Sequence, residues 1–384
     1  MPKIELIATA TFGLEAIVAR EVRQLGYDAE VENARVIFQG DQQAICRSNL
    51  WLRSADRVLI RVGEFTALTF DELFEKTKAL PWADWLPENA NFPVEGKSVK
   101  STLFSVSDCQ AIVKKAIVES MKKKYHHRKW FEEDGPCYTI EISLLKDVAT
   151  LTIDTSGTGL HKRGYRKLST SAPLKETLAA AIINLSFWNP ERILLDPFCG
   201  SGTIPIEAAL IGLNAAPGLH REFAAESWPN ISKQLWIDAR QEAEDLMRRD
   251  LELQIRGTDI NPKVMSIARY HAKLAGVNDF VSFQQMPLSE LQTKRKYGCL
   301  ICNPPYGERL DNTEEVEQLY SQMGQVFKPM DAWSFYVLTS HPNFERIFGK
   351  RADRRRKLYN GRIECQYYQF YGPRPPKGFI NIIN

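Results

Sequence analysis

Three short segments carry residue types able to do chemistry. The first is Leu194-Leu195-Asp196-Pro197-Phe198-Cys199-Gly200-Ser201-Gly202-Thr203-Ile204. It reads as a strand ending in a carboxylate, a turn with two glycines, and the start of a helix. Glycine lets a backbone come close to a ligand. A phosphate loop of the Walker kind needs Gly-Lys-Ser/Thr, and there is no lysine here. A dinucleotide turn prefers a third glycine, and Glu207 stands near that place. An acid followed by a lysine-free glycine turn suits a cationic, phosphate-free cofactor. S-adenosylmethionine, with a sulfonium and an amino group, fits.

The second segment is Gly257-Thr258-Asp259-Ile260-Asn261-Pro262. An acid at a strand end can take the two hydroxyls of a ribose, and proline suits the first turn of the helix that follows. The third is Asn303-Pro304-Pro305-Tyr306-Gly307-Glu308-Arg309, after the apolar Leu300-Ile301-Cys302. The Asn303 amide oxygen and the Pro304 carbonyl are acceptors for the two hydrogens of an –NH2 group. Pro305 stiffens the turn, and Tyr306 offers an aromatic face for an extruded base. An aromatic amine is a poor nucleophile because its lone pair is delocalised. Two acceptors can pull the nitrogen toward sp³ and aim that pair at a methyl carbon, so orientation and electrostatics carry the reaction. The proton becomes acidic once the nitrogen attacks, so no dedicated base is needed.

These segments need elements to bring them together. Strands are expected near 192–196, 254–259, 280–285, 298–302, 332–339 and 362–371, alternating with helical stretches. That pattern implies a mostly parallel α/β sheet covered on both faces, with ligands bound beyond the carboxyl ends of its strands. A helix over 172–187 precedes the first of them, and 214–250 reads as an insertion. The N-terminal half reads differently. A strand at 4–8, a helix at 13–25, strands at 29–32 and 34–38, a helix near 41–52 and a strand near 57–65 give a β-α-β-β-α-β order, a ferredoxin-like unit. A helix at 68–80, a loop at 81–93 and an extended stretch at 97–106 follow. Ser107-x-x-Gln110 predicts a capping box opening a helix that buries Ile112, Val113, Ala116, Ile117 and Met121. A hairpin over 137–145 and 148–155 turns at Lys146-Asp147.

The 384 residues suffice for two or three cores, and 44% hydrophobic with 25% charged residues is ordinary globular composition. No apolar run reaches the length of a membrane span, and the start of the chain lacks the pattern of a signal peptide. Of the seven cysteines only Cys299 and Cys302 form a C-x-x-C, and no second pair completes a metal site, so no metal and a reducing cytoplasm are expected. The net charge of +3 decides nothing, but basic runs at 122–129, 161–167 and 354–357 are candidates for a phosphate-binding surface. Each also reads as a solvated face, and the first suits the end of a helix dipole.

Asp196-Pro197-Phe198-Cys199-Gly200-Ser201-Gly202-Thr203 followed by Asn303-Pro304-Pro305-Tyr306-Gly307-Glu308-Arg309 resembles the class I amino-methyltransferases. Nearly the whole chain resembles the THUMP-containing guanine-N2 RNA methyltransferases, in particular the N-terminal half of the bacterial 23S rRNA methyltransferase L family. The segments 92–98, 160–166 and 173–177 resemble the THUMP region, its exit and the helix before the cofactor loop. The resemblance implies a Rossmann-like α/β methyltransferase domain at 172–384, with an antiparallel C-terminal hairpin in a mostly parallel seven-stranded sheet. It implies a ferredoxin-like domain at 1–65, a THUMP domain at 66–158 and a basic linker at 159–171. It also implies that Asp196, Phe198, Gly200, Gly202, Thr203, Asp259 and Asn303 contact S-adenosylmethionine, with Asn303, Pro304, Pro305 and Tyr306 around the target base. Lys97, Lys123, Lys124, Arg128, Arg163, Tyr165, Arg166 and Arg355 are the expected RNA contacts.

Many class I enzymes have an acid after the third strand for the adenine amine. Here Phe283-Gln284-Gln285-Met286-Pro287-Leu288 has none, so Gln285 or a backbone group would take that place. Adenine-N6 DNA methyltransferases and glutamine-N5 protein methyltransferases share the same acceptor logic. Transfer RNA as substrate, and a catalytically silent ribosome-assembly factor, also stay open on these residues.

Overall fold

The computed structural model describes residues 3–126, 131–168, 174–306 and 313–376. It divides the chain into two compact units. The first comprises Met1–Thr9, Ala19–Leu160 and Arg221–Glu242, the second Ala10–Val18, His161–His220 and Ala243–Asn384.

The first unit holds a seven-stranded sheet of order β2-β3-β1-β4-β7-β6-β5. Its strands are β1 (Ile4–Ala10), β2 (Ala29–Glu32), β3 (Arg35–Gly40), β4 (Ala55–Thr66), β5 (Val94–Val99), β6 (Ile140–Leu145) and β7 (Val148–Asp154). With α1 (Glu15–Gln24) and α2 (Gln42–Trp51), the first four give the expected β-α-β-β-α-β order. The long β4 also pairs with β7, so one sheet runs on from β1–β4 into β7, β6 and β5. The β6–β7 turn has φ 49° at Lys146 and 65° at Asp147, the left-handed pair of a tight hairpin.

α3 (Phe70–Lys78) is capped by Thr69, whose hydroxyl accepts from Glu72 N. α4 (Val106–Tyr125) begins earlier than the capping box implies. Ser105 is its N-cap, Ser107 already lies in the first turn, and the Gln110 amide donates to Val94 O at 3.0 Å instead of turning back. The inserted segment Arg221–Glu242 belongs to this unit. Its Trp228 stacks on Tyr138 at 4.3 Å between ring centres, and Glu242 accepts from two Arg47 nitrogens, each at 2.9 Å.

The second unit holds a seven-stranded sheet of order β10-β9-β8-β11-β12-β14-β13. Its strands are β8 (Leu194–Asp196), β9 (Ile255–Asp259), β10 (Val281–Gln285), β11 (Cys299–Cys302), β12 (Ser334–Thr339), β13 (Arg354–Asn360) and β14 (Ile363–Phe370). The β8–β12 neighbours are parallel, and β14 runs antiparallel to β12 and β13. The strand order reverses between β8 and β11, so a crevice opens beyond their carboxyl ends. The helices include α5 (Glu176–Asn184), α6 (Thr203–Gly212), α8 (Pro262–Leu274), α9 (Thr313–Phe327) and α10 (Phe344–Phe348); α7 (Lys233–Asp245) lies for the most part in the Arg221–Glu242 segment of the first unit.

α6 is apolar all round and almost wholly buried, as a core helix must be. Two hydrophobic clusters pack this unit's sheet, and Leu14 and Ile17 from Ala10–Val18 belong to one of them. Cys299 lies in one cluster and Cys302 in the other, so this C-x-x-C cannot close on one ion. Among the described residues no helix is long and apolar enough to cross a membrane, and no group of ligating side chains could hold a metal ion.

Candidate active site

β8 delivers Asp196, 1% exposed, to the start of the glycine turn. Its Oδ1 accepts from Phe198 N at 3.1 Å. Burial pushes this carboxyl well above the usual carboxylate range; the Phe198 N–H opposes it, and the neighbouring Asp259 charge adds a smaller upward push. Gly200 and Gly202 have φ of 50° and 87°, which bulkier residues adopt only with strain. A Cβ on Gly200 would meet nothing within 4 Å, so that side of the turn is open. A Cβ on Gly202 would lie 3.0 Å from Phe283 Cζ, so here glycine serves close packing.

β9 delivers Asp259. One of its oxygens accepts from Gly200 N and the other from Asn261 N, each at 3.0 Å, tying the two strand ends together. Asn261 in turn caps α8 by accepting from Lys263 N. β11 delivers Asn303, 7% exposed, whose Oδ1 is buried without a hydrogen-bond partner among the described residues. A buried acceptor left unpaired is costly, and this one borders a cavity.

That cavity, of about 280 Å³, is lined among others by Asp196, Phe198, Gly200, Thr203, Asp259 and Asn303. The three sequence segments therefore meet at one crevice. A larger cavity of about 500 Å³ is lined by Arg256, Ser282, Arg295 and Trp333 among others, and Asp196, Asp259 and Asn303 are not among its lining residues. Gln285 does not line the smaller cavity, and its amide donates to Ile260 O at 3.3 Å.

Tyr306 departs from expectation. Its ring is 4% exposed within the hydrophobic core, and its hydroxyl accepts from Asn360 Nδ2 at 3.0 Å, so its face is not open to a base. Pro304 is buried. The Pro305 carbonyl accepts from the Tyr320 hydroxyl at 2.9 Å, a brace that sequence patterns do not reveal.

The basic stretch 161–167 is also corrected. The Arg163 side chain is 2% exposed and faces the fully buried Glu207 at 3.5 Å, and the Tyr165 hydroxyl donates to the same carboxylate at 3.1 Å. Neither can grip RNA. Arg166, 14% exposed, pairs with Glu176 and donates to Thr203 Oγ1 at 2.6 Å and Leu174 O at 2.8 Å, both on the cavity wall. Leu168 N donates to His271 Nε2 at 3.3 Å, so the ring proton sits on Nδ1 and points to Ser201 O at 3.2 Å. Burial, opposed by the bond to Ser201 O and aided by Arg166 nearby, holds His271 below its ordinary pKa. Arg163, Tyr165 and Arg166 thus brace the glycine turn from within, while Lys162 and Lys167 of the same stretch are exposed. One signal pointed to it: Glu207 is the lone acid in an apolar helix and needs a buried partner.

The remaining basic candidates are at the surface. Lys123 and Lys124 are exposed in the last turn of α4. Lys97 is 57% exposed and paired with Glu141, and Arg355 is 52% exposed and paired with Glu345. Arg128 lies outside the described residues.

Comparison with known proteins agrees with this geometry. Residues 163–369 match the model of the RMKL-like methyltransferase domain, 5–59 the RlmL ferredoxin-like domain, and 67–154 the THUMP domain. YpsC of Bacillus subtilis (strain 168), provisionally named an RNA methyltransferase, is 54% identical over 98% of each chain. A crystal structure from Listeria monocytogenes, named by inference an N6-adenine-specific DNA methylase, is 57% identical over 97% of each chain with a TM-score of 0.93. SMU.472, provisionally named a methyltransferase and crystallised with SAH, is 48% identical over 98% of this chain and 100% of its own, again with a TM-score of 0.93.

Proposed function

The chain belongs to the RMKL-like methyltransferase family, joined to RlmL ferredoxin-like and THUMP domains, and from that premise we propose that it methylates an exocyclic base amine in RNA, namely guanine N2 of 23S rRNA, in the cytoplasm. Its cofactor is S-adenosylmethionine, which supplies an electrophilic methyl group on a sulfonium. One observation carries the reading: the buried, unpartnered Asn303 Oδ1 borders the cavity that Asp196, Gly200 and Asp259 also line.

The cavity fits the cofactor. Burial disfavours the charged form of Asp196, and a cation seated against it favours that form. Gly200 leaves room for close backbone approach, and the Asp259 carboxylate has lone pairs left for ribose hydroxyls. Phe198 and Thr203 complete the cradle, Gly202 packs behind it against Phe283, and Arg166 and His271 fix its backbone.

Toward the substrate, Asn303 Oδ1 accepts one amine hydrogen and the Pro304 carbonyl the other. The nitrogen lone pair is thereby turned toward the cofactor side of the cavity. Tyr320 holds the loop through Pro305, so the two acceptors are oriented before substrate arrives. The amine proton leaves to water after attack, and no side chain has to act as base. THUMP and the exposed Lys97, Lys123, Lys124 and Arg355 support RNA as the partner, as does the name of YpsC. The name of the Listeria relative supports adenine N6 in DNA instead, and product identity separates the two.

The test is Asn303→Ala, assayed by labelled methyl transfer to RNA and by calorimetry with the cofactor. Transfer should fall by about 10²–10³-fold, as when a preorganised polar group at a reacting centre is removed, while cofactor affinity stays within about threefold. Full transfer by this variant overturns the role of Asn303.

A further inference from the structure

We infer that Phe12, Tyr359 and the basic strand β13 form a second contact for the substrate strand: a stacking site for a base beside the target nucleotide, with cations for its phosphate. The inference rests on the RNA reading above and adds to it a place on the second unit. Strand registers locate it. Cys302 is level with Val337, Val337 with Tyr368, and Tyr368 with Arg355. β13 runs in the direction of β11, so Arg356 to Asn360 extend past Cys302 on the edge where Asn303 leaves the sheet. The bond from Asn360 Nδ2 to the Tyr306 hydroxyl ties this end to the acceptor loop.

On that edge Phe12 is 54% exposed, with its ring 6.2 Å from Tyr359 and 75° to it. Lys357 Nζ lies 5.5 Å from the Tyr359 ring centre. The backbone beside Phe12 is closely held. Gly13 has φ 91°, a Cβ on it would lie 2.8 Å from Lys357 O, and its carbonyl accepts from Arg356 Nη1 at 3.4 Å. The site is cationic. Lys357 and Arg362 are exposed and Arg356 half-buried, against Glu364, which pairs with Lys357 at 2.6 Å, and Glu15, which accepts from Gly13 N. A lone exposed phenylalanine means little. Beside a second ring, amid net positive charge and one loop from Asn303, it matches what an unpaired strand needs. An enzyme that takes a base out of its stack leaves the neighbouring bases unstacked, and an aromatic platform accepts any of them.

The test uses the full chain with ribosomal RNA from a strain lacking the gene. Phe12→Ala should raise KM for RNA by about five- to 150-fold, with kcat and cofactor affinity within about twofold, and Phe12→Trp should restore KM. Arg362→Glu should raise KM too and reduce the log–log salt slope by about 1. Unchanged KM in Phe12→Ala and Arg362→Glu overturns the inference, as does a Phe12→Ala variant whose cofactor affinity falls in parallel. Wild-type protein that moves no methyl group to RNA overturns the underlying RNA reading and this site with it. That failure appears before any variant is compared.

Discussion

Asp196 shows how burial and charge set the behaviour of one residue. Its raised pKa keeps it protonated in the free protein over a wider range than an ordinary aspartate. A cation seated against it favours the ionised form. Cofactor affinity should therefore rise with pH, with binding releasing a proton. Stability of the free protein runs the other way: the contribution of this carboxyl is full below its ordinary value of 3.8 and is lost as pH climbs through the raised folded value. Calorimetry in buffers of different ionisation enthalpy checks this, and Asp196→Asn should flatten the profile. A wild-type affinity independent of pH contradicts it. That Asp196, Gly200, Asp259 and Asn303 would meet at one crevice was legible in the sequence, because each follows the end of a strand in an alternating α/β pattern. Arg163 and Tyr165 were not. A basic run has the same composition whether it meets solvent or a buried acid, and Glu207 lies 44 residues from Arg163. Tyr306 was misread for a similar reason: an aromatic after Asn-Pro-Pro is equally a core residue, and Asn360, far along the chain, decides.

At the scale of elements, the glycine turn and its brace act as one piece. Gly202→Ala forces a side chain into φ 87° against Phe283, a strain of about 1–3 kcal/mol. Cofactor affinity should drop with it, while Gly276→Ala, also at positive φ but meeting nothing within 4 Å, should leave cofactor affinity unchanged. Breaking the Arg163–Glu207 pair by Arg163→Ala should cost about 3–5 kcal/mol in urea unfolding, because a buried carboxylate is left uncompensated. A loss under about 1 kcal/mol, the range of a surface pair, would place Arg163 back among the solvent-facing cations. The elements with strong periodicity were foreseen, including the hairpin at Lys146-Asp147. β13 was absent from the strands read from periodicity, because Arg354-Arg355-Arg356-Lys357 has no apolar alternation. It is an edge strand, where charge is tolerated and discourages further pairing.

Over the whole molecule, each unit takes in a segment that the sequence order assigns to the other half. Ala10–Val18 belongs with the methyltransferase sheet, and Arg221–Glu242 with the THUMP sheet. No composition shift marks these exchanges, since an amphipathic stretch satisfies either core, so sequence patterns alone make the halves look contiguous. The exposed lysines at the end of α4 offer a test at this scale. Lys123→Glu with Lys124→Glu should weaken RNA binding across sequences and lower the salt slope by about 1 for each phosphate no longer neutralised, whereas unchanged salt dependence removes them from the footprint. The central claim concerns the product. Nucleoside mass spectrometry of 23S rRNA from a strain lacking the gene should find N2-methylguanosine reduced, restored by the wild-type chain and not by Asn303→Ala. An unchanged N2-methylguanosine content, or a loss of N6-methyladenosine in its place, would contradict the account.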